Sequence, residues 1–167
     1  MSIFPADIED KARQIITVFS RAGHMVSTAE SCTGGLIAGA LTEISGSSAV
    51  VDRGFVTYTN EAKMDMLGVS KATLNTFGAV SRETALQMVH GALLRSRAHV
   101  AIAVTGIAGP AGGSAEKPVG LVHLAAKSRD GGLVHREMRY GDIGRDQVRL
   151  ATVKTALDMV LEIAHSA

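Results

Sequence analysis

The chain has one cysteine, no tryptophan and almost no net charge, and these shortages narrow the class of protein it can be. A single cysteine among 167 residues cannot form an intramolecular disulfide, and no C-x-x-C pair is present to hold zinc or run thiol exchange. With 17 Lys and Arg against 16 Asp and Glu, a chain built chiefly to neutralise a nucleic-acid backbone is disfavoured, because such affinity grows with the number of basic contacts. No apolar run approaches the roughly 18 residues of a membrane span, and the start, MSIFPADIED, has neither the basic nor the apolar region of a signal peptide. A cytoplasmic protein without membrane or nucleic-acid partners is therefore expected. A single domain over 1–167 buries roughly 70% of its extended surface and needs neither disulfide nor structural metal to hold a core. What the chain has in excess is glycine, 18 residues, where ordinary usage is roughly 7%.

Residues 7–22 place Ile8, Ala12, Ile15 and Phe19 on one helical face, with Gly23 as the stop. HMVSTA, 24–29, reads as a short extended segment running into Ser31-Cys32-Thr33-Gly34-Gly35 and the small-residue helix LIAGALTEI. A valine-rich strand is predicted over 49–58, then two short helices with Asn60 and Ser70 as N-caps, and a longer helix from Ser81 through about Arg97. HVAIAVTG has the near-continuous apolarity of a central strand covered on both faces. A glycine-rich loop from Thr105 to Pro118 precedes a hairpin, VGLVHLAAKS and LVHREMRY joined at Asp130-Gly131-Gly132. A last helix spans Gly144 to Ala164. Alternating strands and helices with a late hairpin predict a three-layer α/β/α sandwich: a mixed, mostly parallel sheet with helices on both faces.

Eight of the 18 glycines fall in two windows, Gly34, Gly35 and Gly39 in one and Gly106, Gly109, Gly112, Gly113 and Gly120 in the other. Both windows follow a predicted strand. In an open α/β sheet, ligands sit beyond the carboxyl ends of strands, where glycine lets the backbone approach a phosphate or carbonyl oxygen. Close packing of a helix on the sheet accounts equally for Gly34, Gly35 and Gly39, but leaves the polar string Glu30-Ser31-Cys32-Thr33 without a purpose. Neither a Walker A motif nor G-x-G-x-x-G is present.

Four segments together, Thr28 to Gly35 (TAESCTGG), Tyr58 to Lys63 (YTNEAK), Thr105 to Pro110 (TGIAGP) and Glu116 to Gly120 (EKPVG), resemble the CinA C-terminal domain family, the nicotinamide mononucleotide deamidases. The resemblance runs from about residue 7 to 164. It implies hydrolysis of the carboxamide of nicotinamide mononucleotide to nicotinic acid mononucleotide and ammonia, in pyridine nucleotide salvage. It also implies a homo-oligomer. Larger members of the family carry a further N-terminal domain, so this chain resembles the stand-alone form. The family's last motif often reads G-D-R-x-x-V-R, whereas here Ile143 and Gly144 separate Asp142 from Arg145. Arg145 is thus the better match, and the register of Asp142 is altered.

Amide hydrolysis needs a nucleophile, a proton acceptor that later serves the leaving amine, and donors for the oxyanion. Ser31, at the strand-to-helix turn, is the candidate nucleophile, with backbone amides among Thr33, Gly34 and Gly35 as oxyanion donors. No G-x-S-x-G signature supplies a histidine base. Lys63 is the candidate base, provided burial or a nearby cation lowers its pKa, and Tyr58 is placed to relay a proton or hold Lys63. Cys32 is the rival nucleophile, but neighbours on an extended segment point opposite ways, so Cys32 is expected to pack while Ser31 faces the ligand. Glu30 orients the turn or the substrate. Arg145 suits a bidentate phosphate contact. The amides of Gly106 to Gly113, Gly109 and Gly112 among them, add donors, and Thr105 bonds the phosphate or the amide.

The six histidines show no H-x-x-x-H spacing, and a turn centred near Gly131 puts His135 opposite about Lys127 rather than His123. No metal and no cofactor are therefore expected. The methionines read as core filler. Two other functional classes stay open: a nucleotide-binding regulatory module without turnover, and an interaction domain tied to competence or DNA damage. A pure binder has no use for Ser31, Tyr58 and Lys63 together.

Overall fold

A computed structural model describes residues 1–166. Helix α1, Ala6–Ala22, buries Ile8, Ala12, Ile15, Ile16 and Phe19 and stops at Gly23 in the left-handed conformation. Strand β1, Val26–Glu30, turns into α2, Leu36–Thr42. A single 3-10 turn, Ser47–Ala49, precedes β2, Val51–Val56. Helices α3 (Asn60–Leu67), α4 (Lys71–Phe77) and α5 (Arg82–Leu94) follow, then β3 (Val100–Gly106), β4 (Leu121–Ser128), β5 (Leu133–Arg139) and α6 (Arg145–His165).

The sheet order is β2-β1-β3-β4-β5, with β1 parallel to both β2 and β3 and antiparallel pairing at β3–β4 and β4–β5. β4 alone thus runs against the other four strands. Side-chain alternation sorts the core into two layers. In β3, Val100, Ile102 and Val104 join the cluster formed with α1, α2 and α6, while Ala101 and Ala103 join the one formed with α3, α4 and α5. The architecture is a three-layer α/β/α sandwich with a mixed, mostly parallel sheet. Alanine on the α5 side lets that helix lie close. The crowding extends to α3, whose Leu67 carbonyl oxygen sits where a Cβ on Gly91 of α5 would be, at 1.9 Å. Among the described residues no helix is long and apolar enough to cross a membrane.

Three local expectations need correction. The N-cap of α3 is Thr59, whose hydroxyl accepts from the Ala62 amide at 3.0 Å, and Asn60 is the first helical residue. Helix α5 ends at Leu94, short of Arg97. The hairpin turns one residue earlier than its glycines imply, because the Ser128 hydroxyl and amide both bond Gly132. That one-residue change moves each cross-strand partner by two, so His135 faces Ala125, and Lys127 faces Leu133. His123 and His135 consequently share a face, with Nδ1 of one and Nε2 of the other 3.0 Å apart.

Candidate active site

Three parallel strands end at the same side of the sheet, and the turn after β1 is the first feature beyond them. Glu30, the last residue of β1, points to the α2 side. Its carboxylate accepts from the Ile37 and Ala38 amides at 2.8 and 3.0 Å and from the Thr33 hydroxyl at 2.7 Å, so it caps the first turn of α2. Alternation then sends Ser31 to the α3 side and Cys32 back into the core with α1, α2 and α6. Burial pushes the Cys32 thiol up to about 11, so it carries no thiolate at neutral pH.

On the α3 side Ser31 meets Lys63. Thr59 caps α3, and Lys63, one turn in, reaches back under the end of β2. Its Nζ lies 2.9 Å from Ser31 Oγ and 2.8 Å from the Thr57 carbonyl oxygen. Lys63 is 1% exposed, and burial holds its pKa below the usual 10.5. The pair opens into a cavity of about 260 Å³ whose wall also includes Tyr58, Val80, Thr105, Ala108, Gly109 and Arg145.

Tyr58 does not bridge Ser31 and Lys63. It lies over half exposed at the rim, where its hydroxyl accepts from Arg145 Nη2 at 2.8 Å. Arg145 Nη1 donates to the Gly109 carbonyl at 2.8 Å, so this side chain ties the end of β2 to the glycine-rich loop. The Thr105 hydroxyl donates to the Ala79 carbonyl at 2.8 Å, fixing the segment before α5 against β3. Gly106 and Gly109 are required sterically: a Cβ would come within 2.6 Å of Val122 at the first and 2.5 Å of Val119 at the second. Gly112 also lines the cavity, whereas Gly113 lies in an adjoining outer groove.

Glu30, Thr33, Gly34 and Gly35 are not on the cavity wall; they brace the turn from behind. The Gly34 amide is already taken by the Ser31 carbonyl at 3.0 Å. The amides of Thr33 and Gly35 behind the wall, and of Ala108 and Gly109 on it, have no acceptor among the described residues. Sequence reasoning missed Arg149. From α6 its guanidinium donates to the carbonyls of Cys32 and Thr33 at 3.1 and 3.3 Å, clamping the turn that carries Ser31. The signal was available in the R-x-x-V-R spacing, which puts Arg145 and Arg149 one turn apart on one helix face.

The structure thus sets a buried serine–lysine pair at the carboxyl ends of parallel strands of an α/β domain, with unpaired amides on the same cavity wall, the set of groups that acyl transfer uses. The chain belongs to the CinA C-terminal domain family, whose model matches residues 8–164. It is 47% identical over 153 residues to the nicotinamide-nucleotide amidohydrolase PncC of Escherichia coli, covering 91% of this chain and 92% of that protein. It is 48% identical over 156 residues to a CinA-like protein of Geotalea daltonii, covering 93% of this chain but 37% of that one. The chain likewise spans 38% of the length of two other long relatives. Among solved structures, the competence/damage inducible protein CihA of Agrobacterium tumefaciens superposes with a TM-score of 0.97 at 75% identity, over 98% of this chain and 99% of that one.

Proposed function

We propose that the chain hydrolyses the carboxamide of nicotinamide mononucleotide to nicotinic acid mononucleotide and ammonia in pyridine nucleotide salvage, with Ser31 as nucleophile and Lys63 as base. The observation that carries the reading is the buried Lys63 amine 2.9 Å from Ser31 Oγ on the wall of the cavity. A neutral amine has two hydrogens and one lone pair. With one hydrogen held by the Thr57 carbonyl, the lone pair is available to the Ser31 hydroxyl. Ser31 Oγ attacks the carboxamide carbon as its proton passes to Lys63, and the amides of Ala108 and Gly109 are the donors we assign to the oxyanion. Lys63 then returns the proton to the leaving nitrogen, releasing ammonia and leaving an ester on Ser31. Water attacks that ester, Lys63 takes its proton, and collapse frees the carboxylate and restores the hydroxyl. Tyr58 acts by holding Arg145 at the rim. The name of the Escherichia coli relative supports the substrate. A binding module without turnover leaves the burial of an amine against a hydroxyl without a purpose.

Ammonia release from nicotinamide mononucleotide tests this on the parent, Ser31→Ala and Lys63→Ala, with and without EDTA. The expected result is an EDTA-resistant parent and losses of at least roughly 10³-fold in both variants. Full activity in Ser31→Ala contradicts the nucleophile, and loss with EDTA contradicts a metal-free path.

A further inference from the structure

The cavity at Ser31, about 260 Å³, is smaller than an ordinary small-molecule site of roughly 300–1,000 Å³. A mononucleotide whose carboxamide meets Ser31 must therefore extend out of it. One rim is spanned by Arg145, whose terminal nitrogens are engaged by Tyr58 and Gly109. At the other, Ala111 and Gly112 are shared with a wider groove of about 570 Å³, lined also by Gly113, Ser114, Arg139 and Asp142. Arg139 projects from the end of β5 and is exposed, with only a 3.4 Å contact from its Nε to Glu137. The consecutive amides of Ala111, Gly112 and Gly113 have no acceptor among the described residues.

We propose that this groove is the sugar-phosphate subsite of the same site. The phosphate is taken by Arg139 with the amides of Gly112 and Gly113, and the ribose hydroxyls donate to the Asp142 carboxylate. A guanidinium beside successive unpaired amides suits a dianion, and a carboxylate, which only accepts, suits a vicinal diol. The inference rests on the deamidase reading of Ser31 and Lys63. It moves the phosphate contact from Arg145, which instead forms the rim, to Arg139, and it gives Asp142 a use that its altered register obscures in the sequence.

Ribose 5-phosphate carries both groups without the pyridine, and its calorimetric titration tests the groove alone. Arg139→Gln is expected to weaken binding roughly 10- to 100-fold, the loss that follows removal of a charged hydrogen-bond partner, and Ser31→Ala to leave it unchanged. In the ammonia assay Arg139→Gln raises KM for nicotinamide mononucleotide by a similar factor with kcat within about twofold, and spares nicotinamide riboside, which has no phosphate. Equal ribose 5-phosphate affinity in parent and Arg139→Gln, no binding by the parent, or equal losses on nucleotide and riboside, overturns the proposal. Arg139-dependent binding by a parent that releases no ammonia keeps the groove and removes the deamidase reading.

Discussion

Two neighbouring side chains with nucleophilic atoms have opposite fates because the backbone between them stays extended. Ser31 faces Lys63, whereas Cys32 faces the core, where desolvation raises its pKa to about 11. A thiol so placed is a small apolar filler. Cys32→Ala is therefore expected to keep kcat/KM within about threefold, and the parent to resist iodoacetamide at neutral pH, as mass spectrometry of the alkylated chain reports. Rapid alkylation with loss of activity would return Cys32 to the mechanism. Lys63 is shifted the other way by the same physics: burial penalises charge, which raises a thiol and lowers an amine. Below its folded pKa the charged amine costs stability, and the cost is relieved as pH rises toward 10.5, since the unfolded chain then holds more protons than the native one.

Between β1 and α2, the turn carrying Ser31 is held by one acid and one base. Glu30 takes two α2 amides and the Thr33 hydroxyl, and Arg149 takes two carbonyls of the turn. Glu30→Gln puts an amide donor where a helix donor already points. It is expected to lower unfolding stability by about 1–3 kcal/mol by chemical denaturation, and to reduce kcat more than it raises KM. Unchanged stability would show that the clasp contributes nothing. Strand–turn–helix at 26–42 was legible in the sequence because valine, polar turn residues and glycine change abruptly there, and β3 because its apolarity is continuous. The hairpin register was not, since Asp130, Gly131 and Gly132 are all good turn residues and only the Ser128 hydroxyl decides among them. Tyr58 at the rim was equally hidden, because its partners Arg145 and, through it, Gly109 are brought there by tertiary packing alone. Asn60 yielded the cap to Thr59 because both are good caps and the path out of β2 places Thr59 first.

Across the whole molecule, the residues of the proposed site gather at one edge of the sheet. β1 and its turn supply Ser31, the end of β2 with α3 supplies Thr57 and Lys63, and the loop after β3 supplies the unpaired amides. α6 reaches over with Arg145 and Arg149, and β5 ends at the outer groove with Arg139. Part of the excess of glycine is explained by this crowding. Gly106 and Gly109 let the loop lie against β4 and Val119, and Gly91 lets α3 and α5 touch. Packing of α3 over the ends of β1 and β2 thus makes Lys63 a buried amine. Because the neutral form is the base, kcat/KM should rise with pH as Lys63 loses its proton, with the limb below the usual lysine value.

The central claim is that burial lowers the pKa of Lys63 while its Nζ touches Ser31 Oγ. It is tested most directly by an NMR titration of the Cε carbons of all six lysines in the folded chain. One resonance, absent from the spectrum of Lys63→Met, is expected to titrate below the usual 10.5 and to coincide with the rising limb of kcat/KM. A Lys63 resonance that titrates at or above 10.5 would contradict it.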